Sequence, residues 1–254
     1  MQSRFAALGL FLLLVGWQIA VQVFSPPRYL LPSPLAVVQA LVRQSSFLAH
    51  HTAVTITEIF AGLVAGSIFG AAVAFLVVAF PRAGRLAWPI ILILQTFPVF
   101  VLAPILVLWL GFGMASKVMM TTLVIFFPVA SSFADGLRRT EPAIMEAAAL
   151  TSATPWQILV RLRTPLALPA LVSGLRVAVP LAPLGAVIGE WVGASAGLGF
   201  VMVQANARMQ TDTVFAAMTI LALTSVALRL GFDRLVKGRP HWATETEQQT
   251  QLSS

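Results

Sequence analysis

The chain has 254 residues, of which 58% are hydrophobic and only 10% charged, with a mean hydropathy of +0.90. That excludes an ordinary water-soluble domain, where about a quarter of residues carry charge. The net charge of +7 is scattered between apolar segments rather than gathered with interleaved aromatics, which argues against a nucleic-acid partner, and the absence of cysteine excludes both a disulfide framework and a thiolate metal site.

Residues Phe5 to Phe24 form a nearly uninterrupted apolar run, and about 20 such residues cross a bilayer. Its length, and the lack of a small-x-small pattern in the Val-Phe-Ser-Pro-Pro that follows, favour an uncleaved first span over a signal peptide. Pro26, Pro27, Pro32 and Pro34 then break the chain. Pro34 to Arg43 has helical apolar spacing and suits either a short helix lying in the membrane interface or a solvated connector.

A second span is expected over Thr52 to Phe80, with Gly62, Gly66 and Gly70 at four-residue intervals, a small-residue stripe that lets another helix approach closely. Glu58 falls on the same face. An ionisable group at that depth faces protein or water, so Glu58 is either a residue of a transport route or a helix-end carboxylate bonded to a neighbour. The third span, Leu86 to Leu110, is broken by Pro98 and Pro104 beside Gln95 and Thr96. Carbonyls freed by proline are tolerated only where protein or water satisfies them, which suits a route-lining helix. A fourth span covers Lys117 to Ala134, a fifth Leu166 to Val192 and a sixth Thr213 to Phe232, with a glycine-containing loop and a short amphipathic piece between the last two. Arg176 lies inside the fifth span and must snorkel, pair or face a cavity. The sequence therefore predicts an all-α polytopic membrane protein of about six transmembrane helices. Residues 1–240 are expected to form its transmembrane domain, and residues 241–254, poor in apolar side chains, a disordered tail.

Between the fourth and fifth spans lies a long polar insert, about residues 136–166, whose centre EPAIMEAAALTSATPWQILVRLRTPLALP reads as helix, turn, helix. It resembles the EAA loop of the inner-membrane permease subunits of bacterial ABC importers. Glu146, Ala147 and Ala148 match the Glu-Ala-Ala element. Ser152 stands where that family prefers Gly, and Leu162, Thr164 and Pro165 stand for its Ile, Leu and Pro. The resemblance implies that this loop docks on a separate cytoplasmic ATPase subunit. It also implies work as a pair, likened to a homodimer, with two ATPases and a periplasmic substrate-binding protein. ATP and Mg belong to the partner ATPase, since the chain has no G-x-x-x-x-G-K-[ST] phosphate loop; the chain itself is expected to be neither an enzyme nor a holder of cofactor or metal.

With six spans, the termini and the central loop share one side, which collects Arg4, Arg82, Arg85, Arg138, Arg139, Arg161, Arg163, Arg234, Lys237 and Arg239. The other side has Arg28, Arg43, Lys117 and Arg208. Short basic loops stay cytoplasmic, so both termini and the central loop are expected in the cytoplasm of a bacterial inner membrane.

Two other classes of function compete. Gly193-Ala194-Ser195-Ala196-Gly197 has the G-x-S-x-G form of a serine hydrolase, with His50 and His51 on the same side, but that motif requires a strand-to-helix elbow. A secondary transporter would use Glu58, Arg176 or Glu190 for ion coupling. The runs Gly189 to Gly193, Gly197 to Gly199, Asn206 to Gln210, Phe126 to Pro128 and Asp135 to Thr140 resemble permeases for thiamine-precursor pyrimidines within the nitrate, sulfonate and taurine branch. Glu190, read as lying at the outer mouth, would repel anionic cargo. The expected substrate is an aminopyrimidine thiamine precursor, with sulfonate, taurine or nitrate as the alternative.

Overall fold

The computed structural model describes residues 2–237; the tail expected over 241–254 lies outside them. Among the described residues there is no strand. Helix α1 spans Gln2–Phe24, α2 Pro34–Arg43 and α3 Ser45–Ala79. They are followed by α4 over Pro81–Thr96, a 3-10 turn over Val99–Leu102, α5 over Ala103–Leu110 and α6 over Met114–Arg138. Helix α7 (Pro142–Ala149) and α8 (Pro155–Ile158) flank a turn. A π-helical turn over Leu159–Arg163 then leads into α9 (Thr164–Ala178), and α10 (Ala182–Gly193), α11 (Leu198–Ala207) and α12 (Thr211–Val236) complete the chain.

Four continuous helical stretches are long and apolar enough to cross a membrane: Ser45–Ala79, Met114–Arg138, Pro155–Gly193 and Thr211–Val236. Of the other expected spans, the first is helical as α1 and the third is divided. The division falls at Phe97-Pro98, because proline disfavours helical geometry in the residue before it. Pro104 instead sits in the first turn of α5, where its missing N–H costs nothing, and so causes no break.

Pro34–Arg43, expected as either a short interfacial helix or a solvated connector, is helical as α2 and capped by Ser33, whose hydroxyl accepts the Ala36 N–H at 3.2 Å. It buries Val37 and Ala40 against α11 and α12. The end of α2 is tied to the start of α12 by the Gln44 side-chain amide, which donates to the Thr213 hydroxyl at 2.9 Å.

Helix α6 is the hub, packed against α3, α5, α9 and α10. Its contact with α3 runs along the glycine stripe, and Gly62, Gly66 and Gly70 are all buried there. A methyl group at Gly62 would lie 2.4 Å from Thr121 Cβ, one at Gly66 2.5 Å from Ile125 Cγ1, and one at Gly70 2.9 Å from the Phe126 carbonyl oxygen. Since lipid offers no hydrophobic drive for helix association, this close backbone approach supplies dispersion contact instead. Ile59, Ile125, Val129, Ala178, Ala182 and Ala186 fill the middle of the bundle. Towards the central loop, Ala74, Phe133, Ala134, Leu137, Leu159 and Ala167 continue the core, flanked by Trp88.

Arg176 pairs with a residue of α12. Its Nε lies 3.0 Å from Asp233 Oδ1, while Arg229 Nε reaches Asp233 Oδ2 at 2.8 Å. Both arginines remain partly exposed, which makes this a surface tie of modest strength.

Candidate functional site

Two regions carry the polar chemistry, one at each end of the bundle. At the first, α6 continues to Arg138, so the connection proper begins at Arg139 rather than near 136; Gly136 is packed within the helix against Ala167 and Ala170. Pro142 starts α7 with its ring in the first turn. After α7 the Thr151 hydroxyl donates to the Ala148 carbonyl at 2.7 Å and accepts the Ala153 N–H at 3.3 Å. Thr154 and Gln157 then form a reciprocal capping box at the start of α8, with contacts of 3.3 and 2.9 Å. Ser152 is exposed and does not take a positive φ. The turn thus needs no glycine at that place.

Helix α8 does not stop before the membrane segment. It passes through the π turn into α9, where the Thr164 hydroxyl donates to the Leu159 carbonyl at 2.8 Å, so the second arm of the loop and the following span are one helical rod. Between the arms lies a groove of about 410 Å³ lined by Ile144, Ala147, Ala148, Ile158, Arg161 and Leu162. Glu146 stands exposed beside it, and Pro165 is exposed in the first turn of α9. At the tip Leu150 is 92% exposed.

At the opposite end, α3, α6 and α10 bring together a buried polar cluster. Glu190, 2% exposed, accepts the Thr55 hydroxyl at 2.6 Å and the N–H of Gly199. Thr55 in turn accepts the Leu198 N–H at 2.7 Å, and His51 Nδ1 accepts the Gly197 N–H at 3.0 Å. Lys117, also 2% exposed, donates to the carbonyls of Phe112, Gly113 and Gly193. Its three donors meet two carbonyls of the α5–α6 turn and the carbonyl at the end of α10. Gly197 adopts φ +110°, and a Cβ there would strike the Glu190 carboxyl at 2.2 Å; only glycine supplies both the backbone angle and the space. The loop between α10 and α11 is therefore clamped on both sides by side chains of α3, α6 and α10.

This geometry corrects several sequence expectations. Glu190 does not stand at an open mouth; its carboxylate is buried and holds the loop, so repulsion of anionic cargo cannot be assigned to it. Of the five residues expected along a route, Glu58 and Glu190 are brought together, whereas Gln95 and Thr96 are exposed at the end of α4 and Arg176 is committed to Asp233. Lys117 is a buried clamp rather than a topological marker. Ser195 lies on a loop between helices, and His51 is bonded to Gly197, so the elbow that a serine nucleophile needs is missing. The sequence missed Thr55 and Asp233, and it offered His51 only as a hydrolase partner rather than as an anchor of the loop. Their only advance signal was polarity inside an apolar stretch.

Glu58 is 5% exposed, and its Oε2 is buried without a hydrogen-bond partner among the described residues. Its side chain lines a cavity of about 350 Å³ together with Thr57, Phe112, Met114, Lys117 and the 194–196 loop.

The fold is thus an all-helical membrane bundle with a polar helix-turn-helix loop at one end and a clamped loop over a polar cavity at the other. The profile described as binding-protein-dependent transport system inner membrane component matches residues 60–238, and the chain belongs to that family, the permeases of ABC importers. A probable ABC transporter permease protein of Haemophilus influenzae is 47% identical over 224 residues, covering 88% of this chain and 91% of its own. The formylaminopyrimidine transport permease protein ThiX of Halalkalibacterium halodurans is 37% identical and covers 89% of each chain. Among solved structures, a chain of the MetNI methionine ABC transporter in inward-facing conformations superposes with a TM-score of 0.67 at 21% identity, over 77% of this chain and 97% of its own.

Proposed function

We propose that this permease subunit imports an aminopyrimidine precursor of thiamine. The observation that carries the reading is its 37% identity, over nine-tenths of both chains, to a permease named for formylaminopyrimidine transport. The cavity beside Glu58 supports it on chemical grounds. A buried carboxyl oxygen with no hydrogen-bond partner favours a ring bearing N–H groups over a sulfonate or nitrate, which offer only acceptor oxygens.

The permease acts as a pair, with two cytoplasmic ATPase subunits seated on its 139–163 loops and a periplasmic protein delivering substrate at the Gly193–Gly199 end. This orientation follows from the arginines that gather beside the loop: Arg82, Arg85, Arg138, Arg139, Arg161 and Arg163. Ala147, Ala148 and Leu162 line the groove that receives the ATPase, with Glu146 at its edge for a charge-assisted contact and Leu150 as the apolar anchor. Because α8 runs unbroken into α9, a displacement of the loop is carried into the span. Nothing in this scheme asks the permease to bind ATP or Mg.

Uptake of labelled hydroxymethylpyrimidine and of taurine, in cells carrying the complete transporter, tests the substrate. Pyrimidine uptake is expected, and taurine uptake without it would overturn the assignment. For the coupling surface, Ala147→Arg should leave the permease folded yet abolish ATP-dependent uptake, because the added side chain fills the groove. Co-purification with the ATPase and normal uptake by that variant would refute the docking role.

A further inference from the structure

A second cavity, of about 430 Å³, opens between the end of α3, α4, the end of α6 and the π turn before α9. Three arginines line it, Arg85, Arg138 and Arg163, together with Trp88, and none of the lining residues is acidic. Among the described residues none of the three takes part in an ion pair, and the buried Nε of Arg163 has no hydrogen-bond partner. Arg138 is held in place by the Trp88 ring, its guanidinium carbon 4.7 Å from the ring centroid.

The fold gathers these charges deliberately close. A Cβ at Gly84 would lie 2.1 Å from the Val77 carbonyl oxygen, so glycine there lets α4 turn back against the end of α3 and brings Arg85 and Trp88 to the rim of the cavity. Three like charges around one cavity repel one another, and a buried guanidinium nitrogen without an acceptor is costly. A multivalent anion relieves both. Guanidinium forks fit phosphate oxygens in particular, and basic pockets between helices near the cytoplasmic surface are suited to anionic headgroups.

We propose that Arg85, Arg138 and Arg163 form a binding site for a phosphate-bearing anion, which fastens α4 and α6 to the π-helical joint of the coupling loop. The site is separate from the substrate cavity and does not depend on the identity of the cargo. Its phosphate comes either from an anionic lipid of the inner leaflet or from a soluble cytoplasmic compound, and the two sources differ in whether acyl chains are required.

The test is thermal unfolding of the purified full-length permease in neutral detergent at constant ionic strength, titrated with phosphatidylglycerol, phosphatidylcholine or inorganic pyrophosphate. A saturable rise in unfolding temperature is expected with phosphatidylglycerol or pyrophosphate and not with phosphatidylcholine. Action of phosphatidylglycerol alone identifies a lipid; action of pyrophosphate identifies a soluble ligand. Arg85→Gln and Arg163→Gln should each raise the half-saturating concentration by about tenfold, the loss of one charge-assisted hydrogen bond, while Arg28→Gln at the opposite end leaves it unchanged. Arg163→Lys, which keeps the charge and loses the fork, should fall between, and together with Arg85→Gln it serves should Arg163→Gln not fold. No saturable shift in the native protein, an equal shift with phosphatidylcholine, or native half-saturation in Arg85→Gln and Arg163→Lys would each overturn the proposal.

Discussion

Replacing Glu190 by alanine is expected to destabilise the permease by about 3–5 kcal/mol, the range for removing one member of a buried charged network. The carboxylate accepts from the Thr55 hydroxyl and the Gly199 N–H, and it shares the buried cluster with the Lys117 ammonium. Alanine leaves the Gly199 N–H without its acceptor and the ammonium with less opposing charge, while the Thr55 hydroxyl retains only the His51 carbonyl at 3.2 Å. The change also frees the space that forces glycine at position 197, so the loop loses its anchor as well as its hydrogen bonds. In detergent the unfolding midpoint should fall by roughly 10 °C. Glu190→Gln keeps an acceptor oxygen and the shape and should lose markedly less. Equal midpoints for the native and alanine proteins would mean that the clamp is not a source of stability. Transport offers a second reading, because a loop released from α3 no longer presents a fixed surface at the receiving end.

The other large effect is expected from Gly66→Leu. The first carbon of the new side chain would already sit 2.5 Å from Ile125 Cγ1 and 3.1 Å from Thr122 Cα. The second of these is backbone and cannot rotate away. Helix α3 must therefore move off α6 along the whole stripe, because Gly62 and Gly70 are seated just as closely. Overpacking in a close-packed interior costs about 1–3 kcal/mol and occasionally more, and this contact lies at the hub of the bundle, so a reduced yield of folded protein and a lower unfolding temperature are expected. Ile125→Ala in the same chain should restore part of the loss by vacating the space that the leucine enters. Native stability in the single variant would show that α3 and α6 separate without penalty. Failure of Ile125→Ala to help would place the strain at Thr122 instead.

These two variants mark what could and could not be read from the chain before folding. The glycine stripe was legible because its four-residue spacing is a property of one helix: residues four apart share a face whatever lies opposite. For the same reason the long apolar stretches, the proline break of the third and the helix-turn-helix character of the loop were written in local sequence, and the Glu-Ala-Ala run identified that loop by resemblance. Only the tertiary structure decided that the stripe faces Thr121 and Ile125. It alone matched Glu190 to Thr55 across 135 residues and Lys117 to Gly193 across 76, and joined Arg176 to Asp233 across 57. A polar residue in an apolar helix announces that it needs a partner, since lipid provides none. Which partner it receives depends on which helices become neighbours and at what height, and neither is encoded in the spacing of a single segment. Glu190 is accordingly recognisable as exceptional, but its position beside a glycine-containing loop at the end of the fifth span reads as an outer mouth. In the folded protein those glycines are what allow the loop to close over the carboxylate and be held by it.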